Sequence, residues 1–237
     1  MKQKVIAIDG PSGSGKSTIA KIISQKLNLT YLDTGAMFRA IAYSLKDLSI
    51  DFTKDELDKD EIETVSKYLQ SLKFEYGVSE SILVRLNDNN LTDEIREHYV
   101  SDLASRTSKF PIIRNYLKDK QREIANTKPS VLEGRDIGTV IFPGALVKIF
   151  LTADSKVRAK RRYDQLVEKD PDTASSLSVE SIQADIESRD ALDQSRETAP
   201  LKMANDAISI DTSNKSIEEV ADEIISEYDK KKELFKA

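Results

Sequence analysis

The sequence has no cysteine and only one histidine among its 237 residues. Without cysteine the chain cannot form a disulfide framework, a thiolate zinc site or a cysteine nucleophile, and a lone histidine has no partner for a metal site. No apolar run approaches the ~20 residues of a membrane-spanning helix, and the first residues show no signal-peptide core. The chain also has no surplus of basic residues: it contains 36 lysines and arginines and 41 acidic residues, which gives a formal net charge of −5. We therefore expect a cytoplasmic protein with no nucleic-acid or membrane partner.

Short β-like runs alternate with longer helical runs along the chain, which is typical of an α/β domain with a mostly parallel sheet. The pattern predicts strands near residues 5–8, 30–32, 130–133, 147–151 and 207–210. It predicts helices near residues 16–27, 34–48, 93–108, 111–127, 155–168, 179–192 and 217–232. We therefore expect a parallel sheet flanked by helices.

The pattern changes between residues 69 and 92. Residues 72–76 and 82–86 alternate in the manner of strands, with Gly77 between them. This predicts a small antiparallel meander inserted into the larger domain. The acidic stretch before it, residues 51–63, is predicted to be a solvated connection or a helix surface.

One segment fits the phosphate-binding loop pattern G-x-x-x-x-G-K-S/T, and it reads Gly10-Pro11-Ser12-Gly13-Ser14-Gly15-Lys16-Ser17. It lies between a predicted buried strand and a predicted helix, so backbone N–H groups and the helix N-terminus can both face an anion. Lys16 can reach the β and γ phosphates of a nucleotide, and the Ser17 hydroxyl can ligate Mg²⁺. A chance Gly/Ser turn is the alternative. A dinucleotide-binding fingerprint cannot be laid over these glycines.

This loop indicates that a nucleoside triphosphate is bound, but GTPases, motors, small-molecule kinases and regulators all use one. Guanine recognition by GTPases usually needs Asn-Lys-x-Asp, and Asn214-Lys215 is not followed by that aspartate. Two sets of charged residues at helical spacing stand out instead: Arg158, Arg161 and Arg162, and then Arg189, Asp193 and Arg196. Each set is compatible with a solvated salt-bridge face. In a protein with this loop, arginines also suit phosphoryl transfer, because their planar forks pair with phosphate oxygens.

Two further segments follow predicted strands, so both are expected at the carboxyl edge of the sheet with the loop. One reads Asp33-Thr34-Gly35-Ala36-Met37-Phe38-Arg39 and the other Glu133-Gly134-Arg135-Asp136-Ile137-Gly138-Thr139. A helix N-cap would explain the first segment and turn glycines would explain the second. Their expected convergence at one edge favours a site.

Taken together, these segments make the chain resemble the bacterial cytidylate kinases, a group of nucleoside monophosphate kinases. The resemblance covers nearly the whole length and rests on residues 8–17, 33–39, 110–114, 133–139, 147–151 and 189–196. It implies a P-loop NTPase fold with a small β-rich insertion in the monophosphate-binding region. It also implies one kinase domain over residues 1–237, with that insertion at 61–100 and a lid region at 155–196.

The resemblance implies a role for each matching residue. The ATP phosphates and Mg²⁺ would be held by Gly10, Pro11, Ser12, Gly13, Ser14, Gly15, Lys16, Ser17 and Thr18, with Ser17 as the metal ligand. Cytosine would be read by Ser105, Arg114 and Asp136. The CMP phosphate would be bound by Arg39 and Arg135 with Thr34 nearby, and the sugar and phosphate by Arg189 and Asp193. The catalytic residues would be Lys16, Arg158, Arg162 and Arg196, the last three reaching the transferring phosphoryl group as a lid closes.

The expected reaction is phosphoryl transfer from ATP to CMP, and to dCMP, by a monomeric enzyme. We predict that residues 169–178 form a short lid that excludes water. Two departures from the family pattern are Glu133, where some members have Asp, and Leu192, where an arginine often occurs. Two alternatives stay open: a kinase for another monophosphate such as UMP or AMP, and a non-catalytic nucleotide-binding regulator.

Overall fold

The computed structural model describes residues 3–79, 81–169 and 177–233. The strands are β1 (Gln3–Asp9), β2 (Thr30–Asp33), β3 (Phe74–Ser79), β4 (Ile82–Leu86), β5 (Asn89–Asn90), β6 (Ser130–Gly134), β7 (Ala145–Thr152) and β8 (Ile208–Asp211). The helices are α1 (Lys16–Leu27), α2 (Thr34–Leu45), α3 (Lys59–Ser71), α4 (His98–Thr107), α5 (Pro111–Ala125), α6 (Ser155–Lys169), α7 (Val179–Ser195) and α8 (Ile217–Glu233). Two short turns add a 3₁₀ helix at Glu94–Arg96 and a π-helix at Ile137–Ile141.

The main sheet has five strands in the order β2-β6-β1-β7-β8. Strand β1 pairs in parallel with β6 on one side and with β7 on the other, and β7 pairs in parallel with β8. A parallel strand that is covered on both faces needs a continuous apolar run, and Val5, Ile6, Ala7 and Ile8 are all buried. Central strand β1 therefore ends deep in the fold, where the phosphate-binding loop begins.

The chain divides into two compact units, of which the first contains Met1–Leu32 and Ile124–Ala237. Its core joins β1 and β7 to α1 and α8 through residues such as Ile6, Ile23, Ile149 and Ile224. The predicted start of α8 is confirmed by a capping pair, because Glu219 N–H donates to the Ser216 hydroxyl and Ser216 N–H donates to the Glu219 carboxylate. The parallel sheet flanked by helices is thus confirmed.

The second unit is Asp33–Glu123. It contains a small antiparallel sheet in the order β3-β4-β5, which confirms the predicted meander. Strands β4 and β5 are joined at Asn87 and Asp88, which have φ values of 47° and 27°. Positive φ at both positions is typical of the tight hairpin turn whose twist matches antiparallel strands.

Two parts of the second unit bear on the sequence prediction of helices. Within residues 51–63 both predicted alternatives occur, because a connection leads to α3, which begins at Lys59 after a capping box between Asp58 and Glu61. The predicted helix 93–108 is interrupted, since Glu97 is extended and separates the 3₁₀ turn from α4.

The predicted lid, residues 169–178, lies mainly outside the described residues, which omit 170–176. The helices on either side of it, α6 and α7, pack together through Ala159, Ile182 and Ile186. None of the helices in the described part of the chain is long and apolar enough to cross a membrane.

Candidate active site

The phosphate-binding loop connects the end of β1 to the start of α1, as the sequence predicts. Its first residue, Gly10, has φ of 150° and passes directly against β7. A Cβ at this position would lie 2.2 Å from the Leu151 carbonyl oxygen, which is far inside van der Waals contact. Only glycine therefore lets the loop leave the sheet here.

Lys16 is buried at the start of α1 and folds back on its own loop. Its Nζ donates to the Pro11 carbonyl at 2.6 Å, and the Ser14 hydroxyl donates to the same oxygen at 3.0 Å. Burial lowers the pKa of Lys16 to about 7, and the nearby charge of Arg135 adds to that effect. An anion in the loop would favour the charged ammonium and reverse this shift.

The hydroxyl of Ser17 is paired with an acid from the neighbouring strand. Ser17 Oγ donates a short hydrogen bond to Glu133 Oε1, and the Tyr31 hydroxyl donates to the same oxygen at 3.2 Å. Glu133 is buried near the end of β6, opposite Ile8 of β1 in the parallel register. An alcohol and a carboxylate are oxygen ligands of the kind that hard cations prefer.

Asp9, which the sequence interpretation did not single out, anchors the segment that carries Arg135 and Asp136. Its carboxylate accepts the backbone N–H groups of Ile137 at 2.8 Å and Gly138 at 2.7 Å. Burial raises the pKa of Asp9 to about 6, although the two N–H groups oppose that shift. The π-helical turn that begins at Ile137 is therefore fixed to the end of β1.

Two predicted site residues, Arg135 and Arg196, donate hydrogen bonds to the carboxylate of a third, Asp193. Asp193 accepts from Arg135 Nε at 2.8 Å through one oxygen, and Arg196 donates a short hydrogen bond to the other. Asp193 is buried in the last turn of α7, and Arg196 directly follows that helix. The structure thus joins the segment after β6 to the end of α7.

Arg158 of α6 is buried and contacts the loop directly. Its guanidinium donates to the Ser12 carbonyl at 2.9 Å and to Asp190 Oδ2 at 2.5 Å, and its Nε donates to the Ala153 carbonyl at 3.0 Å. Asp190 also accepts the Ser12 N–H at 3.3 Å. For Arg158 the solvated-face reading of the arginine set is therefore wrong. Asp190 was missed because no local pattern links α7 to the loop.

The other arginines of the two sets have different surroundings. Arg162 is exposed on α6, and Arg189 is half-buried on α7. Arg161 is half-buried too, and it donates to Thr212, which follows β8. The shared spacing of 158, 161 and 162 thus does not give the three side chains a shared environment.

In the second unit, Arg39 is held close to the start of its own helix. Asp33 is the N-cap of α2, accepting the Ala36 N–H at 2.7 Å, and Arg39 lies 3.3 Å from its second oxygen. The Tyr76 hydroxyl accepts the Asp33 N–H at 2.7 Å. The N-cap alternative for this segment is thus confirmed, and Thr34 is buried in the first turn of the helix.

Ser105 and Arg114 are linked in the same unit through Ser108. The Ser108 hydroxyl donates to the Ser105 carbonyl at 2.9 Å, and Arg114 donates to the Ser108 carbonyl at 2.9 Å. The buried Arg114 guanidinium also stacks 5.3 Å from the Phe38 ring centre. The Arg114 side chain is therefore positioned by the residue that follows α4, and Ser105 lies on that helix, whereas Asp136 belongs to the first unit.

The parallel sheet, the glycine-rich loop after its central strand and the lysine that begins α1 define a P-loop nucleotide-binding protein. The profile of the cytidylate kinase family matches residues 6–230. The cytidylate kinase of Pseudothermotoga lettingae is 46% identical over 224 residues, which cover 94% of this chain and 93% of that protein. The cytidylate kinase of Fusobacterium nucleatum is 39% identical over 232 residues, covering 98% of this chain and 100% of that protein. The chain belongs to the cytidylate kinase family.

Proposed function

We propose that this protein transfers the γ-phosphoryl group of ATP to the phosphate of CMP or dCMP, giving ADP and CDP or dCDP. The observation that carries the proposal is the buried Lys16 in the loop between β1 and α1, in a chain that belongs to the cytidylate kinase family. Family membership supports CMP as the phosphoryl acceptor, and the phosphate-binding loop supports ATP as the donor.

On the donor side, residues 10–18 hold the ATP phosphates through backbone N–H groups and Lys16. Ser17 would ligate Mg²⁺, and Glu133, which accepts from the Ser17 hydroxyl, would support the ion as a nearby carboxylate. Among the described residues no cluster of three or more His, Cys, Asp or Glu could hold a metal ion. Mg²⁺ commonly takes one or two protein ligands and keeps water and substrate phosphates in its shell. When bound, the ion neutralises charge on the β and γ phosphates.

On the acceptor side, Ser105, Arg114 and Asp136 read cytosine. A carboxylate and a hydroxyl accept from the exocyclic amine, and an arginine donates to O2 or N3. Uracil has a carbonyl in place of that amine, so Asp136 would face another acceptor. The phosphate is bound by Arg39, Arg135 and Thr34, and the sugar and phosphate by Arg189 and Asp193.

The transferring phosphoryl group is contacted by Arg158, Arg162 and Arg196. Arg196 is paired with Asp193 here, and because a guanidinium carries five N–H donors it can keep that carboxylate while it donates to a phosphate oxygen. No general base is required, since a phosphate monoester with a second pKa of about 6 is largely dianionic at neutral pH. Catalysis then consists of alignment and charge stabilisation.

We also propose a domain organisation, an oligomeric state and a cellular location from the resemblance to cytidylate kinases. Residues 1–237 form one kinase domain, with the monophosphate-binding insertion at 61–100 and the lid region at 155–196. The enzyme acts as a monomer in the cytoplasm.

The proposal is tested by following ADP release with and without CMP. We expect release to depend on CMP, and Lys16→Ala to lower kcat at least a hundredfold. Lys26→Ala is the matched control, because this lysine is exposed on the same helix and pairs with Asp222 at the surface. A nucleotide-binding regulator would instead bind ATP and release no ADP in response to CMP.

A further inference from the structure

Thr212 lies directly after β8 and touches the phosphate-binding loop from outside. Its side chain is buried, and Oγ1 lies 3.2 Å from the Ser14 carbonyl oxygen and 3.1 Å from that of Thr152. Arg161 of α6 donates two hydrogen bonds to the same residue: NH1 donates to Oγ1 at 3.0 Å and NH2 donates to the Thr212 carbonyl at 2.5 Å. These contacts join residues that are far apart in sequence.

The arrangement orients the one proton of the Thr212 hydroxyl. Because Oγ1 accepts from Arg161, its proton is directed away from the guanidinium, toward a carbonyl. The Thr152 carbonyl already accepts the Thr212 backbone N–H at 2.8 Å. The Ser14 carbonyl, 3.2 Å away, is the acceptor through which this hydroxyl contacts the phosphate-binding loop.

The orientation of the Ser14 carbonyl also sets the direction of the Gly15 N–H, which belongs to the same peptide. In a planar trans peptide the carbonyl and the following N–H point in opposite directions. A Ser14 carbonyl held toward Thr212 thus holds the Gly15 N–H away from Thr212. The chain does not fix this plane locally, since Gly15, with φ of 89°, tolerates rotated peptide orientations.

We propose that Thr212 and Arg161 are positioning residues for the phosphate donor. Thr212, oriented by Arg161, holds the Ser14–Gly15 peptide so that the Gly15 N–H is available to the donor phosphates. Arg161 acts through Thr212 and does not itself contact phosphate. The inference rests on the proposed function, because it takes ATP as the ligand of this loop.

The test is Thr212→Val, which keeps the shape of the side chain and removes the hydroxyl. We expect the Kd for ATP, measured by calorimetry, to rise about tenfold, which corresponds to about 1.4 kcal/mol. The KM for CMP should stay within about twofold of the wild-type value. Thr212→Ser, which restores a hydroxyl, should return the Kd for ATP to within about twofold.

Arg161→Gln should weaken ATP binding by a smaller factor. It should have no further effect in the Thr212→Val background, because both substitutions act through the same contact between the Thr212 hydroxyl and the Ser14 carbonyl. Lys160→Ala is the matched control, since Lys160 is exposed on the same helix and pairs with Asp164. If Thr212→Val does not fold, Arg161→Gln and Thr212→Ser carry the comparison.

An unchanged Kd for ATP in folded Thr212→Val or Arg161→Gln protein would overturn the inference, and so would an equal loss of affinity for ATP and CMP. A different result would refute the proposed function. A wild-type protein that binds ATP through this loop but does not phosphorylate CMP would refute the reaction, while the effect of Thr212→Val on ATP binding would still support the positioning role.

Discussion

The ion pair between Arg158 and Asp190 should be essential to the stability of the loop region. The two side chains are only 8% and 10% exposed, and Arg158 NH1 lies 2.5 Å from Asp190 Oδ2. Asp190→Ala would leave the guanidinium buried without its carboxylate, and would also remove the acceptor of the Ser12 N–H.

The expected size of the effect follows from burial. Removing one partner of a buried pair typically costs about 3–5 kcal/mol, because the other charge stays desolvated. Arg158 keeps two carbonyl acceptors, those of Ala153 and Ser12, so the lower end of that range applies. We therefore expect Asp190→Ala to lower the free energy of unfolding by about 3 kcal/mol.

The assay is urea unfolding followed by circular dichroism, with the slope of the transition compared between variants. Asp164→Ala is the matched control on α6: its pair with Lys160 is 56% and 60% exposed, and should contribute at most about 0.5 kcal/mol. A loss below about 1 kcal/mol in Asp190→Ala would refute the reasoning that this pair is desolvated.

Three further predictions follow from the loop and the acceptor residues. Gly10→Ala should cost at least about 2 kcal/mol in urea unfolding, since its Cβ would lie 2.2 Å from the Leu151 carbonyl; a neutral effect would contradict the close approach. Burial lowers the pKa of Lys16 to about 7 and bound phosphates should raise it again, so Lys16 should take up close to one proton when ATP binds near pH 8, and almost none near pH 5. Calorimetry in two buffers of different ionisation enthalpy measures this uptake, and equal heats near pH 8 would argue against it. Asp136→Ala should reduce the ratio of kcat/KM for CMP over UMP about tenfold or more, and an unchanged ratio would mean that another residue reads the base.

The phosphate-binding loop was predictable because its determinants are local. Strand, glycines, Lys16 and the first turn of α1 occupy one continuous stretch, and hydrophobic periodicity identifies the elements on both sides. The start of helix α3 is also local, since Asp58 and Glu61 have capping-box spacing, and it bears out the helix-surface alternative for the end of residues 51–63.

The surroundings of the loop were not predictable, because they depend on contacts between distant residues. Asp190 and Ser12 are 178 positions apart, and Thr212 and Ser14 are 198 positions apart. No periodicity in a single sequence records such contacts. The arginine spacing on α6 indicated a common face, yet only tertiary packing decides which arginine is buried and which stays in solvent.

The proposed specificity for cytosine is tested most directly by an acceptor panel. The rate of ADP release is measured with ATP and equal concentrations of CMP, dCMP, UMP or AMP, and kcat/KM is compared. We expect CMP or dCMP to exceed UMP and AMP by at least tenfold. Faster turnover of UMP or AMP than of CMP would contradict the account, and so would ADP release that does not depend on any acceptor.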